Sequence, residues 1–252
     1  MRRGQSKRAF CPPIGPILAE RGCPLSLSSA NISGNETNRG IVILGAGGHA
    51  KVVIEIFRAA GETVAFCVAN AIPPDGTVLG VPVLMGEDEP LLRLRSEGYF
   101  RAHVAIGANT IRKKLCDKLK KLEFTLASAI HPRSVVSPTA TIGPGTAIMA
   151  GAVINACASI GQGAIVNTGA TIDHDCKIGD YSHVAPQCGL AGTVTLGSLC
   201  FLGVGTKVIP GLKIGDKTTT GAGAVVVRDL PPDSLAVGVP ARIVQKMKES
   251  HK

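Results

Sequence analysis

Residues 164–181 read AIVNTG ATIDHD CKIGDY, and these three successive groups of six residues decide the fold. In each group the third residue is aliphatic and the first is small. The spacing extends in both directions: from Val136 to Val226 an aliphatic residue occupies fifteen of sixteen positions six residues apart, the exception being Thr220. Neither the 3.6-residue period of a helix nor the two-residue period of a strand accounts for this pattern. A six-residue period is typical of a parallel β-helix.

In a parallel β-helix, three hexapeptides form one triangular coil of about 18 residues, and coils stack at about 4.8 Å. The repeats therefore predict roughly five coils around a continuous aliphatic column with no internal pocket. The small position includes Cys176, Cys188 and Cys200, where a thiol fills a compact apolar space. Because the chain has no CxxC or zinc-type spacing, we expect free thiols and a reducing, cytoplasmic compartment.

The net charge of +9 is concentrated in residues 1–40 and 109–121. The β-helix segment is neutral and only 3% of residues are aromatic, so we interpret the charge as solvated surface and expect no nucleic-acid groove. The chain has no run of eighteen apolar residues, and no membrane span is expected. Residues 1–39 are basic, contain proline and lack the apolar core of a secretory signal, which predicts a disordered extension.

Residues 40–130 alternate strands and helices ahead of the β-helix. The run IVIL at 41–44 followed by GAGGHAKVVIEIF predicts a strand, a glycine turn and a helix whose N-terminus offers N–H groups to a phosphate. Further strands are predicted at 63–67, 104–107 and 124–129. This alternation predicts a small Rossmann-like α/β domain with a parallel sheet, whose ligands bind at the carboxyl ends of the strands.

The order of these parts resembles a known group of enzymes. Its most specific stretches are NTGATIDHDCKIGDYSHVAP (167–186), FLGVGTKVIPGLKIGD (201–216) and AVGVPAR (236–242). They resemble the bacterial sugar-nucleotide N-acetyltransferases of the hexapeptide class, the bacillosamine and perosamine N-acetyltransferase and sialic acid O-acetyltransferase-like family. The resemblance covers residues 40 to about 246. It implies a Rossmann-like α/β domain at 40–130, a left-handed parallel β-helix with a C-terminal tail at 131–252, a homotrimer, and acetyl-CoA as the donor.

The resemblance also implies roles for individual residues of the β-helix. His174 matches the family's catalytic base, and Asp175 matches the acidic residue that tunes it. A neutral imidazole accepts a proton from an attacking amine or hydroxyl, and a carboxylate on its other nitrogen raises its basicity. Because adjacent strand residues point to opposite faces, Asp175 reaches the ring only if the chain bends there, at a corner of the prism. Acetyl-CoA contacts are implied for His183, Gly192, Val204 and Ala222, and the Gly192 amide is a candidate oxyanion donor.

In the first domain, Gly47, Gly48 and His49 match the family's sugar-nucleotide contacts, and Gly107 lies at the same predicted edge of the sheet. Relatives commonly carry an acidic pair after the second strand that reads the nucleotide. The equivalent stretch here is CVAN at 67–70, which has no carboxylate and in which Asn70 is the only polar residue. We include Asn70 as a substrate contact, and the identities of nucleotide and sugar stay open.

The predicted function is acetyl transfer from acetyl-CoA to the amine of a nucleotide-linked amino sugar, with His174 as general base. An alternative is O-acetylation of a sugar such as sialic acid, which needs the same base and donor. A third is a metal lyase of the γ-carbonic-anhydrase type, but His131, His174 and His183 are not separated by multiples of 18, and no metal is expected. The fourth possibility is a scaffold that binds a nucleotide sugar and has no catalytic activity. Since both candidate histidines lie outside the aliphatic column, we predict an active site on the outer surface, completed by a neighbouring subunit, and an inactive monomer.

Overall fold

The computed structural model describes residues 39–246 of the chain. The predicted disordered extension at residues 1–39 lies, apart from Arg39, outside the described residues. The described chain forms an α/β domain followed by a parallel β-helix. Among its helices, none has the length and apolar character needed to cross a membrane.

The elements of the α/β domain are β1 (Ile41–Leu44), α1 (Gly48–Ala59), β2 (Val64–Ala69), β3 (Thr77–Val78), β4 (Val81–Met85), α2 (Asp88–Ser96), β5 (Arg101–Val104), α3 (Asn109–Lys121) and β6 (Thr125–Leu126). The six strands form one sheet in the order β3-β4-β2-β1-β5-β6, in which every neighbouring pair is parallel except β3 with β4. From β1 the chain moves outward to one side through β2 and β4, then returns to the other side of β1 as β5. The strand order thus reverses beside β1, and ligands of such sheets bind at the carboxyl ends of the strands near that reversal.

The predicted strand–glycine–helix unit is present. All four residues of β1 are buried, and the turn after it needs Gly45, whose φ is +119° and where a Cβ would stand 2.9 Å from the Ala105 carbonyl oxygen. Helix α1 buries one side, including Val53 and Phe57, in a cluster that continues into the wall of the β-helix. The two parts of the chain thus share a hydrophobic core.

Three predicted strand boundaries were wrong. Strand β2 continues to Ala69, so residues 67–69 lie inside the sheet, paired with both β1 and β4, and only Asn70 lies at its edge. Strand β5 ends at Val104 instead of starting there. The strand predicted at 124–129 is two strands, because the second of them, β7 (Ala129–Ile130), pairs with the β-helix; the β-helix therefore starts two residues before the predicted boundary at 131.

The β-helix has three parallel faces in which each strand pairs with the strand 18 residues further along the chain, as the hexapeptide period predicts. Face 1 contains β7, β10 (Ala147–Ile148), β13 (Ile165–Val166), β16 (His183–Val184), β19 (Phe201–Leu202) and β22 (Thr219–Thr220). It continues with β24 (Ser234–Val237) and the antiparallel strand β25 (Arg242–Lys246). Face 2 contains β8 (Val135–Val136), β11 (Val153–Ile154), β14 (Thr171–Ile172), β17 (Gly189–Leu190), β20 (Lys207–Val208) and β23 (Val225–Val226). Face 3 contains β9 (Thr141–Ile142), β12 (Ser159–Ile160), β15 (Lys177–Ile178), β18 (Thr195–Leu196) and β21 (Lys213–Ile214).

The aliphatic column is confirmed. Thirteen of its fifteen aliphatic residues are at most 3% exposed, and Val136 and Ile142 in the first coil are partly buried. The exception, Thr220, is also buried. Its hydroxyl forms a hydrogen bond with the hydroxyl of Thr206 (2.8 Å) and accepts a second one from the Gly203 N–H (3.1 Å). A polar residue is tolerated there because its hydrogen-bonding capacity is satisfied inside the column. Cys176, Cys188 and Cys200 are buried free thiols, as predicted for small fillers.

The corners of the prism recur with the same period. Every sixth residue from Gly145 to Gly223 has φ between +55° and +77°, and half of these corner residues are not glycine. Asp175 is one of them, with φ of +59°. The bend that the sequence required next to His174 is therefore a regular feature of the fold.

Candidate active site

His174 and Asp175 form a hydrogen-bonded pair at the corner between faces 2 and 3. The turn at Asp175 brings its Oδ2 to 2.8 Å from His174 Nδ1, and both side chains are more than half exposed. The backbone N–H of His174 donates to Asp173 Oδ1 (2.8 Å), and the Asn155 side chain donates to the same oxygen (3.0 Å). The Asp173 carboxylate thus holds the backbone of His174, and the Asp175 carboxylate holds its ring.

This pairing determines which ring nitrogen is available. With Asp175 at Nδ1, the proton of the neutral imidazole is placed on Nδ1, and Nε2 keeps its lone pair. The hydrogen bond that His174 donates to Asp175, with a smaller contribution from the charge of Asp173, raises the pKa of His174 above its ordinary value. The result is an exposed, oriented base of increased basicity, which is what a general base needs.

Gly192 lies against this ring from the next coil. A Cβ at residue 192 would stand 2.5 Å from His174 Nε2, so only glycine leaves room for the ring in this position. The coils are joined there by the Thr193 N–H, which donates to the His174 carbonyl (2.9 Å). Within residues 39–246 the Gly192 N–H has no acceptor.

His183 is on face 1 and not beside His174. Its ring is 9% exposed and packs edge-on against Phe201, with 5.2 Å between ring centroids. The Asn167 amide faces Nε2 at 3.0 Å, and its oxygen accepts the Thr168 N–H, so Asn167 donates and Nε2 accepts. The proton is then on Nδ1, which is buried and makes no hydrogen bond of normal geometry within residues 39–246, while the backbone of Gly107 acts on the ring as the smallest influence, toward a higher pKa. Burial, and secondarily Arg112, lowers the pKa of His183 to about 4, so the ring is neutral at pH 7.

Val204 and Ala222 lie at a third location, the corner between faces 1 and 2, and both are exposed. They stand 18 residues apart and therefore stack in successive coils. One subunit does not bring them together with His174 and Gly192, which lie at the corner between faces 2 and 3.

A cavity of about 800 Å³ opens at the carboxyl ends of β1 and β2. Of the residues predicted to contact the substrate, Gly47 and Asn70 line this cavity, whereas Gly48, His49 and Gly107 are not among its lining residues. A Cβ on Gly47 or Gly48 would meet nothing within 4 Å, so the N-terminus of α1 faces open space. Sequence reasoning missed three charged residues that line the same cavity, Glu87, Lys114 and Lys118.

His49 is partly buried, and its Nε2 has no partner among residues 39–246. Burial, and then the charge of Arg112, lowers the pKa of His49 to about 4. The charge of Arg112 contributes to the lowered pKa of both His49 and His183, and Arg112 itself donates to the Gly107 carbonyl (2.9 Å). The contact surface of the two domains therefore holds two neutral histidines, each with an unpaired buried nitrogen.

Arg112 is the largest correction to the sequence analysis. It belongs to the basic segment 109–121, which we interpreted as solvated surface, but it is only 1% exposed. Its five donors all bond neutral oxygens of the α/β domain and the β-helix wall, and burial lowers its pKa to about 10. The acceptors are Gly163 O (2.7 Å), Ile106 O (2.9 Å), Gly107 O (2.9 Å), Asn109 Oδ1 (2.8 Å) and Tyr181 O (2.6 Å).

Comparison with known proteins agrees with the two-part fold. The PglD N-terminal domain family matches residues 40–119, and the bacterial transferase hexapeptide family (six repeats) matches residues 157–192. Curated proteins match shorter segments: a Staphylococcus aureus (strain MRSA252) protein provisionally named an acetyltransferase is 46% identical over 57 residues, 23% of this chain and 29% of its own length. Galactoside O-acetyltransferase of Escherichia coli (strain K12) is 30% identical over 98 residues, 32% of this chain and 48% of that one. The chain thus spans less than half the length of these relatives.

Solved structures match far more of the chain. PerB of Caulobacter crescentus, a perosamine N-acetyltransferase crystallised with CoA and GDP-perosamine, is 54% identical with a TM-score of 0.78, covering 82% of this chain and 97% of that one. The acetyltransferase domain of PglB from Neisseria gonorrhoeae FA1090, in complex with acetyl coenzyme A, is 38% identical with a TM-score of 0.76, covering 82% and 100%.

Fold and site together define an acyltransferase of the hexapeptide class, an α/β domain followed by a left-handed parallel β-helix. Within that class, the chain belongs to the acetyl-CoA-dependent family of perosamine and bacillosamine N-acetyltransferases, as the sequence resemblance implied.

Proposed function

We propose that this protein transfers the acetyl group of acetyl-CoA to the amino group of a nucleotide-linked amino sugar, with His174 as general base. The observation that carries the proposal is the bond of His174 Nδ1 to Asp175, which leaves Nε2 as an exposed, oriented base. The acceptor class is supported by PerB, whose structure holds CoA and GDP-perosamine.

The reaction is a direct transfer. The sugar amine attacks the thioester carbonyl carbon while His174 Nε2 takes a proton from the nitrogen, and the carbonyl electrons move onto oxygen. Collapse of the tetrahedral intermediate breaks the C–S bond, and the imidazolium returns the proton to the leaving CoA sulfur. Asp175 stabilises the imidazolium between these steps. The unpaired N–H of Gly192, next to the ring, is the proposed donor to the oxyanion.

The donor and acceptor sites follow from the remaining predicted residues. We assign acetyl-CoA to His183, whose buried Nδ1–H needs an acceptor, and to the groove of Gly192, Val204 and Ala222. A buried donor without a partner costs free energy, and a ligand carbonyl removes that cost. The acceptor nucleotide is assigned to the cavity by Gly47 and Asn70, with Gly48, His49 and Gly107 beside it. Free N–H groups at the start of α1 suit its diphosphate.

We propose that the complete site needs a neighbouring subunit, in a homotrimer. His174 and Gly192 lie at the corner between faces 2 and 3, and Val204 and Ala222 lie at the corner between faces 1 and 2. Helix α3 is attached to the third corner, through Arg112 and the carbonyls of Gly163 and Tyr181. Three corners of one prism face in different directions, so a groove that uses two of them forms only between neighbouring copies, and a threefold axis is the closed arrangement that the sequence resemblance implies.

O-acetylation uses the same base and donor and stays an alternative. The relative with a galactoside acceptor matches 32% of the chain, whereas the N-acetyltransferase structures match 82%, which favours the amine. For the metal lyase, the described residues contain no group of three or more His, Cys, Asp or Glu side chains that could hold a metal ion. Metal analysis of the assembled protein tests ligand sets that span subunits.

A coupled assay of CoA thiol release tests the proposal, with 4-amino sugars linked to GDP, UDP and dTDP as acceptors. We expect release with at least one of them and a fall in kcat of about 10²–10⁴-fold in His174→Ala. His131→Ala is the matched control, because that histidine lies outside the site. Retention of near-wild-type activity in His174→Ala would refute the assignment of the base, and release with a hydroxyl acceptor alone would shift the function to O-acetylation.

A further inference from the structure

The stretch 67–70 at the end of β2 contains no carboxylate, yet the structure brings one to that place from the residues that follow β4. Glu87 follows Gly86, whose N–H donates to the Ala69 carbonyl (2.9 Å), so the ends of β2 and β4 are adjacent. The chain turns at Gly86, where φ is +115°, and Glu87 then lies beside Asn70 at the cavity wall. A residue 17 positions away in the chain thus occupies the location where we expected an acidic group and found none.

Two neighbours hold the Glu87 carboxylate in place. Asn70 Nδ2 donates to Oε1 (2.8 Å) and Lys118 Nζ donates to Oε2 (2.9 Å). The hydrogen bond from Lys118, followed by that from Asn70, lowers the pKa of Glu87, so it is ionised at neutral pH. A carboxylate accepts about four hydrogen bonds, so each oxygen keeps the capacity to accept one more from a ligand.

The cavity between Glu87 and Gly47 suits a nucleoside diphosphate. At one end, the start of α1 offers N–H groups for phosphate oxygens. Ile72, Leu91 and Ile111 also line the cavity and provide apolar surface for the faces of a base. A volume of about 800 Å³ is in the range of pockets that enclose small-molecule ligands. The arrangement therefore places the base at Glu87 and the diphosphate at Gly47.

The hydrogen-bonding edges of the bases differ in how they meet a carboxylate. Guanine presents two adjacent donors, N1–H and the 2-amino group, which match two carboxylate oxygens in a charge-assisted, bidentate contact. Uracil and thymine present one N–H between two carbonyl oxygens, which would face the carboxylate with like partial charge. Adenine and cytosine present one amino group beside a ring acceptor. The ammonium groups of Lys114 and Lys118 are in addition suitable donors for the 6-oxo oxygen of guanine.

We propose that Glu87, positioned by Asn70 and Lys118, selects the nucleotide and that the acceptor sugar is linked to guanosine diphosphate. This inference rests on the proposed function in that it takes the cavity to hold a sugar nucleotide.

The test measures equilibrium binding by calorimetry for the full-length protein with GDP, IDP, UDP and dTDP. IDP keeps the N1–H and the 6-oxo oxygen of guanine but lacks the 2-amino group. We expect GDP to bind about tenfold or more tightly than each of the other three. A factor of about ten is what the loss of one charge-assisted hydrogen bond costs, and IDP loses that bond with the 2-amino group. In Glu87→Gln the preference for GDP over IDP falls to within about twofold. Glu89→Gln removes the same charge from an exposed residue outside the cavity and keeps the wild-type preference.

Several results would overturn the proposal. Equal affinity of the wild-type protein for GDP, UDP and dTDP is one, and an unchanged GDP-to-IDP ratio in Glu87→Gln is another. Absence of binding by all four nucleotides is a third. Thermal unfolding of each variant establishes that the fold is intact. The binding data are separate from acetyl transfer: release of CoA with UDP- or dTDP-linked sugars alone would leave the proposed function standing and refute guanine selection. A GDP preference without acetylation of any amino sugar would support guanine selection and refute the proposed function.

Discussion

Gly192 lies against the imidazole of His174, one coil further along the β-helix, with room for a hydrogen atom and not for a methyl group. A Cβ there would stand 2.5 Å from Nε2 and 2.6 Å from Cε1. The position of the proposed base therefore depends on a residue 18 positions away that has no side chain of its own.

Gly192→Ala should displace the ring from its site. We expect kcat to fall about 10–100-fold, because misplacement of a catalytic group by about 1 Å costs roughly that much. Steady-state kinetics of CoA release measures it. Gly189→Ala is the control in the same coil, since the Cβ there would meet mainly the flexible end of Lys207 at 3.2 Å. Equal kcat values in the two variants would contradict the role given to Gly192.

Asp175→Asn should change the pH dependence of the reaction. Asp175 is the main cause of the raised pKa of His174, and the imidazole acts as a base only above that pKa. Loss of the carboxylate lowers the pKa toward about 6.5, so the acidic limb of kcat/KM moves to lower pH, while the plateau falls because the base is weaker and less well oriented.

The profile of kcat/KM between pH 5 and 9 checks this expectation. Asp233→Asn is a matched control, since Asp233 also has a positive φ, +55°, and is ion-paired with Lys217, away from His174. An acidic limb that stays in place in Asp175→Asn would show that the carboxylate does not set the basicity of His174.

Arg112→Lys should destabilise the fold although it keeps the positive charge. One ammonium group has three donors and cannot replace five bonds in a fixed planar arrangement. Several buried acceptors would lose their partners, at a cost of about 2–4 kcal/mol in the free energy of unfolding. Thermal unfolding should show a Tm lower by roughly 5–15 °C. Lys121→Arg, at the exposed end of the same helix, should leave Tm unchanged, and an equal effect of both substitutions would contradict the interpretation.

Subunit complementation tests the shared site. His174→Ala removes the base, and Gly47→Trp fills the nucleotide cavity; each variant alone should be inactive. If base and cavity from different subunits form one site, an equal random mixture should regain up to about a quarter of wild-type activity, and the mixed trimers within it about a third. Two affinity tags identify the mixed species. Mixed trimers without activity would indicate that each subunit uses its own cavity and base.

The local repeat made much of the fold predictable. The period of six positions the aliphatic column, the stacking of residues 18 apart and a corner next to His174, because each depends on neighbours within one or two hexapeptides. The pair of His174 and Asp175 was predictable for the same reason: adjacent residues at a corner meet through a local bend. The strand, turn and helix around Gly45 are equally local.

Other parts of the site carry no such signal. Glu87 lies against Asn70 because β4 pairs with β2, and Lys118 joins them from α3, across 31 residues of sequence. In the sequence, Arg112 cannot be distinguished from the other cations of the lysine-rich helix α3. It is buried only because α3 packs against the β-helix.

The sequence by itself determined the repeat, the column and the pairing of His174 with Asp175, since these arise from short-range periodicity and backbone bends. Only the tertiary structure decided which charges enter the cavity and which are buried between the domains. Those contacts join residues far apart in the chain, and their energies depend on how sheet, helix and prism pack together.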